Sequence, residues 1–172
     1  MPKVLSNVRE GILLVGCDLL SQSGYDGFSV RLVASRCGIG VGTLYNYFPS
    51  KQQLVAAILR AEWDIHLRRM TQLLKAKNKL NGKLIAIYGE LRLFMQGVHN
   101  TWAGGTVDSA ELAGIQEQRN MVRLQLVEII APALEQDKRW LADGISRLFL
   151  SYAVELQWDE DSILRILEQL LD

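Results

Sequence analysis

Apolar residues recur at intervals of three and four along almost the whole chain, and period-two alternation of β-branched residues is nowhere sustained. Helices are therefore expected throughout. The first covers residues 4–22 and is apolar almost all round, so it must pack on more than one side. Ser23-Gly24 ends it, with Gly24 supplying a left-handed cap. Ser29 is placed to cap a short helix over residues 30–37. Gly38-Ile39-Gly40 then turns the chain into a second short helix over residues 41–48. Pro49-Ser50 stops that helix and caps another over residues 51–75.

Beyond it the pattern predicts a polar connection over residues 75–83, carrying Asn78, Asn81 and Gly82, then an apolar helix over 84–98. A loop follows over 100–107, around Gly104-Gly105. Asp108 or Ser109 starts a long helix to residue 136, bent at Pro132. The last two helices fall at 138–157 and 160–171, the second capped by Asp159. The expected fold is all-α with about eight or nine helices: a three-helix head over residues 1–50 and a helical body over 51–172.

Composition narrows the function. With 49% hydrophobic and 22% charged residues in 172, the chain has the means to bury a core, and disorder is excluded. A net charge of zero argues against a nucleic-acid partner until its distribution is read. Residues 1–70 hold eight Lys/Arg against five Asp/Glu, whereas residues 71–172 hold eleven against fourteen. The basic end suits phosphate and the acidic end faces away from it.

Cys17 and Cys37 form no Cys-x-x-Cys pair and no secretory signal pattern precedes them, which points to a reducing, cytoplasmic setting. Cys17 reads as inert packing; Cys37, beside Arg36 at a helix end, reads either as packing or as a redox sensor. The longest apolar stretch, residues 11–17, is too short to cross a bilayer, so no membrane partner is expected. His66 and His99 have no carboxylate or thiol at metal-ligand spacing, and neither a metal nor a cofactor is expected. With no nucleophile–base pair and no Gly-rich phosphate loop in context, the chain does not read as an enzyme.

The two short helices and their glycine turn make a helix-turn-helix. Val30, Val33 and small Ala34 give the first helix an apolar face, Gly38 can take the positive φ that ends it, and Ile39 plugs the angle. Leu44 and Phe48, four apart, bury the back of the second helix. That leaves Val41, Gly42, Thr43, Tyr45, Asn46 and Tyr47 on its outer side and ends.

The stretch Gly38-Ile-Gly-Val-Gly-Thr-Leu-Tyr-Asn-Tyr-Phe-Pro-Ser-Lys-Gln-Gln-Leu54, with Gly24-Tyr25-x-x-Phe28-Ser29-Val30 upstream, resembles the DNA-binding domain of the TetR family of bacterial regulators. The likeness covers about residues 5–60. It implies that Thr43, Tyr47 and Lys51 hold backbone phosphates while Val41, Gly42, Tyr45 and Asn46 lie over base edges, with Ser29 and Arg31 touching phosphate from the first helix. Asn46 has the donor and acceptor to pair with adenine, worth about 1–3 kcal/mol of discrimination. Gly40 and Val41 stand where the family often has Ser and a polar residue, and Lys3 alone stands where several basic residues are common.

The resemblance further implies a ligand-responsive repressor, located with the bacterial nucleoid when bound, that grips a palindromic duplex operator as a homodimer. Trp63, Tyr88, Met95, His99, Trp102 and Met121 are the candidates to line a pocket for a small apolar effector. Leu148, Phe149, Tyr152 and Leu156, with Ile163, Ile166, Leu167 and Leu170, form two apolar stripes near the chain end that suit a symmetric four-helix dimer contact. The alternative is a helical protein-interaction module whose helix-turn-helix is degenerate and no longer reads DNA. The sparse basic arm and Val41 are what favour it.

Overall fold

The computed structural model describes residues 7–75, 79–102, 109–155 and 159–171. These form eight α-helices and two short 3-10 turns, with no strand among the described residues. They divide into two compact units, one within Met1–Ile65 and Gly97–Gly105, the other within His66–Gln96 and Thr106–Asp172.

The first unit begins with α1 (Val8–Gly27), started by Asn7, whose side-chain oxygen accepts the Glu10 N–H. Gly24 interrupts it at φ 64°, ψ −179°, a conformation essentially reserved for glycine. The positive φ expected of Gly24 is observed, but its extended ψ is not that of a left-handed cap, and the residue kinks the helix, which runs on for one further turn to Gly27. α2 (Val30–Arg36), α3 (Val41–Tyr47) and the first half of α4 (Lys51–Lys75) close the unit. Their shared core holds Ile12, Leu19, Leu20, Phe28, Val33, Ala34, Leu44, Phe48, Leu54 and Ile58, all buried. Gly16 lies where a Cβ would come within 2.6 Å of the Ile58 side chain, so α1 and α4 meet there because α1 has no side chain at that point.

α5 (Leu80–Trp102) starts earlier and ends later than the polar residues around it suggest. Its buried stripe of Leu84, Ile87, Tyr88, Leu91 and Phe94 continues the helical period, and this outweighs Asn81 and Gly82. α6 (Ser109–Ile130) does not bend at Pro132 but stops before it. Proline has no N–H to continue the ladder, and residues 131–133 tighten into a 3-10 turn, followed by a second at Gln136–Lys138. α7 (Leu141–Glu155) packs on α6, and α8 (Glu160–Leu171) opens with Asp159 accepting the Ser162 N–H at 2.8 Å. The Arg123 guanidinium of α6 donates to Asp143 of α7, which also accepts from Arg147 one turn on. Tyr88 and Phe149 meet in this second core with ring centroids 5.4 Å apart.

Candidate nucleic-acid interface

The helix-turn-helix is built as its residue types require. The Ser29 hydroxyl oxygen accepts the Leu32 N–H at 3.3 Å and starts α2. Gly38 takes φ 68° and ends it, while the Ile39 N–H reaches back to the Ala34 carbonyl. Ile39 packs against the core of the first unit. α3 follows, with Leu44 and Phe48 buried beneath it. Its other side chains are set by that choice: Thr43, Tyr45, Asn46 and Tyr47 are exposed, and the two tyrosines stand 42% and 43% open to solvent. A Cβ on Gly42 would meet nothing, so the middle of that face is open. Large exposed aromatics on one short helix, over a fully packed back, make a surface suited to a partner.

The remaining candidates surround it. Ser29 and Arg31 are exposed at the start of α2. Val41 is half-buried and packs partly against the core, so it presents less to the outside than its neighbours. Lys51 opens α4, where the Ser50 hydroxyl oxygen accepts the Gln53 N–H at 3.1 Å, and its ammonium lies 4.6 Å from the centre of the Tyr25 ring. Arg36, by contrast, is paired with Asp18 at 2.9 Å. Two neighbours of these candidates escaped sequence reasoning. Tyr25 sits inside the quoted motif without an assigned part, and Arg9, which covers the Phe48 ring, is separated from it by 39 positions.

The effector candidates fall in both units. Trp63 is buried and His99 exposed in the first; Tyr88 is buried, Met95 half-buried and Met121 exposed in the second. The side chain of Trp102 lies outside the described residues. A separate small cavity of about 100 Å³ in the first unit is bordered by Cys17, Leu20, Glu62 and Thr101, among others. Of the dimer candidates, Phe149, Ile163 and Leu167 are buried within the protomer, Leu148, Tyr152 and Ile166 are half-buried, and Leu170 is exposed; Leu156 lies outside the described residues.

Neither cysteine is activated. Burial, then the hydrogen bond its thiol donates to Glu62 at 2.9 Å, pushes Cys17 up to about 12, and burial raises Cys37 as well. Among the described residues no three His, Cys, Asp or Glu side chains gather to hold a metal, and no helix is long and apolar enough to cross a membrane.

Comparison with known proteins agrees with this geometry. Residues 12–58 match the family model described as bacterial regulatory proteins, tetR family. The chain is similar to the transcriptional repressor KstR of Rhodococcus jostii, 43% identical over 56 residues, which are 33% of this chain and 26% of that protein. The chain thus spans about a quarter of the length of such curated relatives. In fold it is similar to a transcriptional regulator from Cytophaga hutchinsonii at a TM-score of 0.69 and 16% identity, covering 94% of this chain and 93% of that one. It is similar also to the TetR-family regulator CifR, solved with a 26-base-pair operator duplex, at 0.60 and 16% identity over 99% and 97% of the two chains.

Proposed function

We propose that this chain, which belongs to the TetR family by its N-terminal domain, is a cytoplasmic repressor that binds a near-palindromic operator as a homodimer and responds to a small apolar effector. The observation that carries the reading is α3: a helix buried on one side by Leu44 and Phe48 that offers Thr43, Tyr45, Asn46 and Tyr47 on the other. In the major groove, Asn46 pairs with adenine and the tyrosine rings lie over neighbouring edges, while Thr43, Tyr47 and Lys51 fix the register on phosphates. Arg31 and Ser29 add backbone contacts from α2. Two copies of α3 reach successive grooves about one helical turn apart. An effector acts by favouring a dimer with the wrong spacing, through its difference in affinity for the two states. No catalytic role enters this scheme.

Selection of random duplexes by the purified protein at moderate salt tests it, with Tyr47→Ala plus Lys51→Ala as the control. The expected outcome is an enriched palindrome that the control fails to enrich. A folded, effector-free dimer that enriches nothing would overturn operator binding and favour a partner-binding module.

A further inference from the structure

Among the described residues, four cations lie in or beside the helix-turn-helix: Arg9, Arg31, Arg36 and Lys51. They are not equivalent. Arg36 is paired with Asp18, whereas among the described residues no carboxylate pairs with Arg9, Arg31 or Lys51. Two of those three rest on aromatic rings instead. The Arg9 guanidinium carbon lies 5.3 Å from the centre of Phe48, the residue that ends α3. The Lys51 ammonium lies 4.6 Å from the centre of Tyr25, just past the Gly24 kink.

A ring holds a cation differently from a carboxylate. Its quadrupole attracts the charge without cancelling it. A guanidinium lying over a ring still presents its in-plane N–H donors at the edge, and an ammonium still has donors pointing away. The rotamer freedom of a long side chain is thereby reduced before any partner arrives, while the positive charge stays available. Phe48 gains as well, since the Arg9 stem helps to cover a ring that is only 4% exposed.

We infer that Arg9 is a further phosphate-binding cation, and that the Phe48 and Tyr25 rings are positioning residues that hold Arg9 and Lys51 ready for the backbone of duplex DNA. The inference rests on the operator-binding reading and adds one contact and two seats to it. It assigns no phosphate to Arg36, whose partner is the Asp18 carboxylate and not a ring.

The test is fluorescence anisotropy with a labelled mixed-sequence duplex of about three helical turns, titrated over a series of salt concentrations. Arg9→Met and Lys51→Met keep an apolar stem against each ring and remove the charge. Each removes two cations from a bound homodimer, one per head, and is expected to lower the slope of log affinity against log salt by about 1.8, with the melting temperature unchanged. Tyr25→Leu is expected to weaken binding several-fold in the native background and to add nothing to Lys51→Met, whereas Tyr25→Phe retains the native slope. In the free, unmutated protein, the ε-methylene protons of Lys51 should show an upfield ring-current shift by NMR. An unaltered slope in Arg9→Met, an equal cost of Tyr25→Leu in both backgrounds, or an unshifted Lys51 signal would overturn the inference while leaving operator binding in place. Native protein that binds no duplex at low salt overturns both.

Discussion

Neighbouring residues in α3 have opposite duties, and single substitutions should separate them. Leu44 is fully buried between α3 and the core, so Leu44→Ala is expected to cost about 2–5 kcal/mol in denaturant unfolding. Tyr47 is half open and away from that core, so Tyr47→Ala should stay within about 0.5 kcal/mol of the native protein while sharply weakening DNA binding. Equal losses of stability in the two variants would place Tyr47 in the packing and remove it from the interface. Leu44 and Phe48 could be told from Thr43, Asn46 and Tyr47 in the sequence because a helical period fixes which side chains share a face. The support for Lys51 could not, because Tyr25 is brought to it by the kink at Gly24 and not by spacing along one helix. The same holds for Cys17, whose partner Glu62 lies 45 positions away. With that thiol held up at about 12, alkylation at pH 8 should be far slower in the folded protein than in denaturant. The thiol's contribution to stability is present below its ordinary 9.0 and lost as pH rises from there towards 12. Equally fast alkylation in both states would show that the thiol is not held protonated by its surroundings.

At the scale of helices, termini were the least legible feature. Pro132 announced an interruption, but whether a helix bends or ends depends on whether packing holds the next turn, and here the chain tightens into 3-10 turns. Asn81 and Gly82 looked like a connection, yet the stripe beginning at Leu84 carries the helix through them. Caps were more readable: Ser29, Ser50 and Asp159 each accept the N–H three residues on, as their residue types suggested. The joint between α6 and α7 was invisible in sequence, because Arg123 and Asp143 are 20 positions apart. It yields a pH prediction. The hydrogen bond from Arg147, helped by the Arg123 charge, lowers Asp143 below its ordinary 3.8, and the Ser162 N–H does the same for Asp159. A lowered carboxylate stabilises the fold above its unfolded value and loses that effect as pH falls through its folded one. Stability should therefore decline as pH drops through 3.8 and below. Asp143→Asn should be less stable than native protein at pH 7 and show a shallower acid decline, with the two curves converging at low pH. Parallel curves from urea titrations across pH would exclude Asp143 as a source of the acid sensitivity.

For the whole molecule, zero net charge hides a basic N-terminal part and an acidic remainder. Operator affinity should therefore fall steeply with salt despite the neutral total, because counterion release follows local phosphate contacts and not net charge. The proposed dimerisation is the other feature at this scale, and it is where a helical period says least: a partner and the chain's own core ask for the same apolar spacing. Phe149, Ile163 and Leu167 already face inward within one protomer, which leaves half-buried Leu148 and Tyr152 on α7 and Ile166 and exposed Leu170 on α8 as the described members of those stripes with surface to offer. Leu170, 42% exposed, can accept a charge without disturbing the protomer's core. Leu170→Glu places two carboxylates near a symmetry axis if that face meets its copy, so sedimentation should show a shift from dimer to monomer. The melting of the monomer should then no longer depend on protein concentration. Operator binding should weaken by roughly 10²–10⁴, the advantage that a tethered second head confers when both half-sites are engaged, while a single half-site is still bound with its native salt slope. Loss of half-site binding as well would mean that the substitution damaged the head. A variant that remains dimeric would move the interface off this face of α8, and the exposed Met121 and Leu124 on α6 would be the next place to introduce the charge.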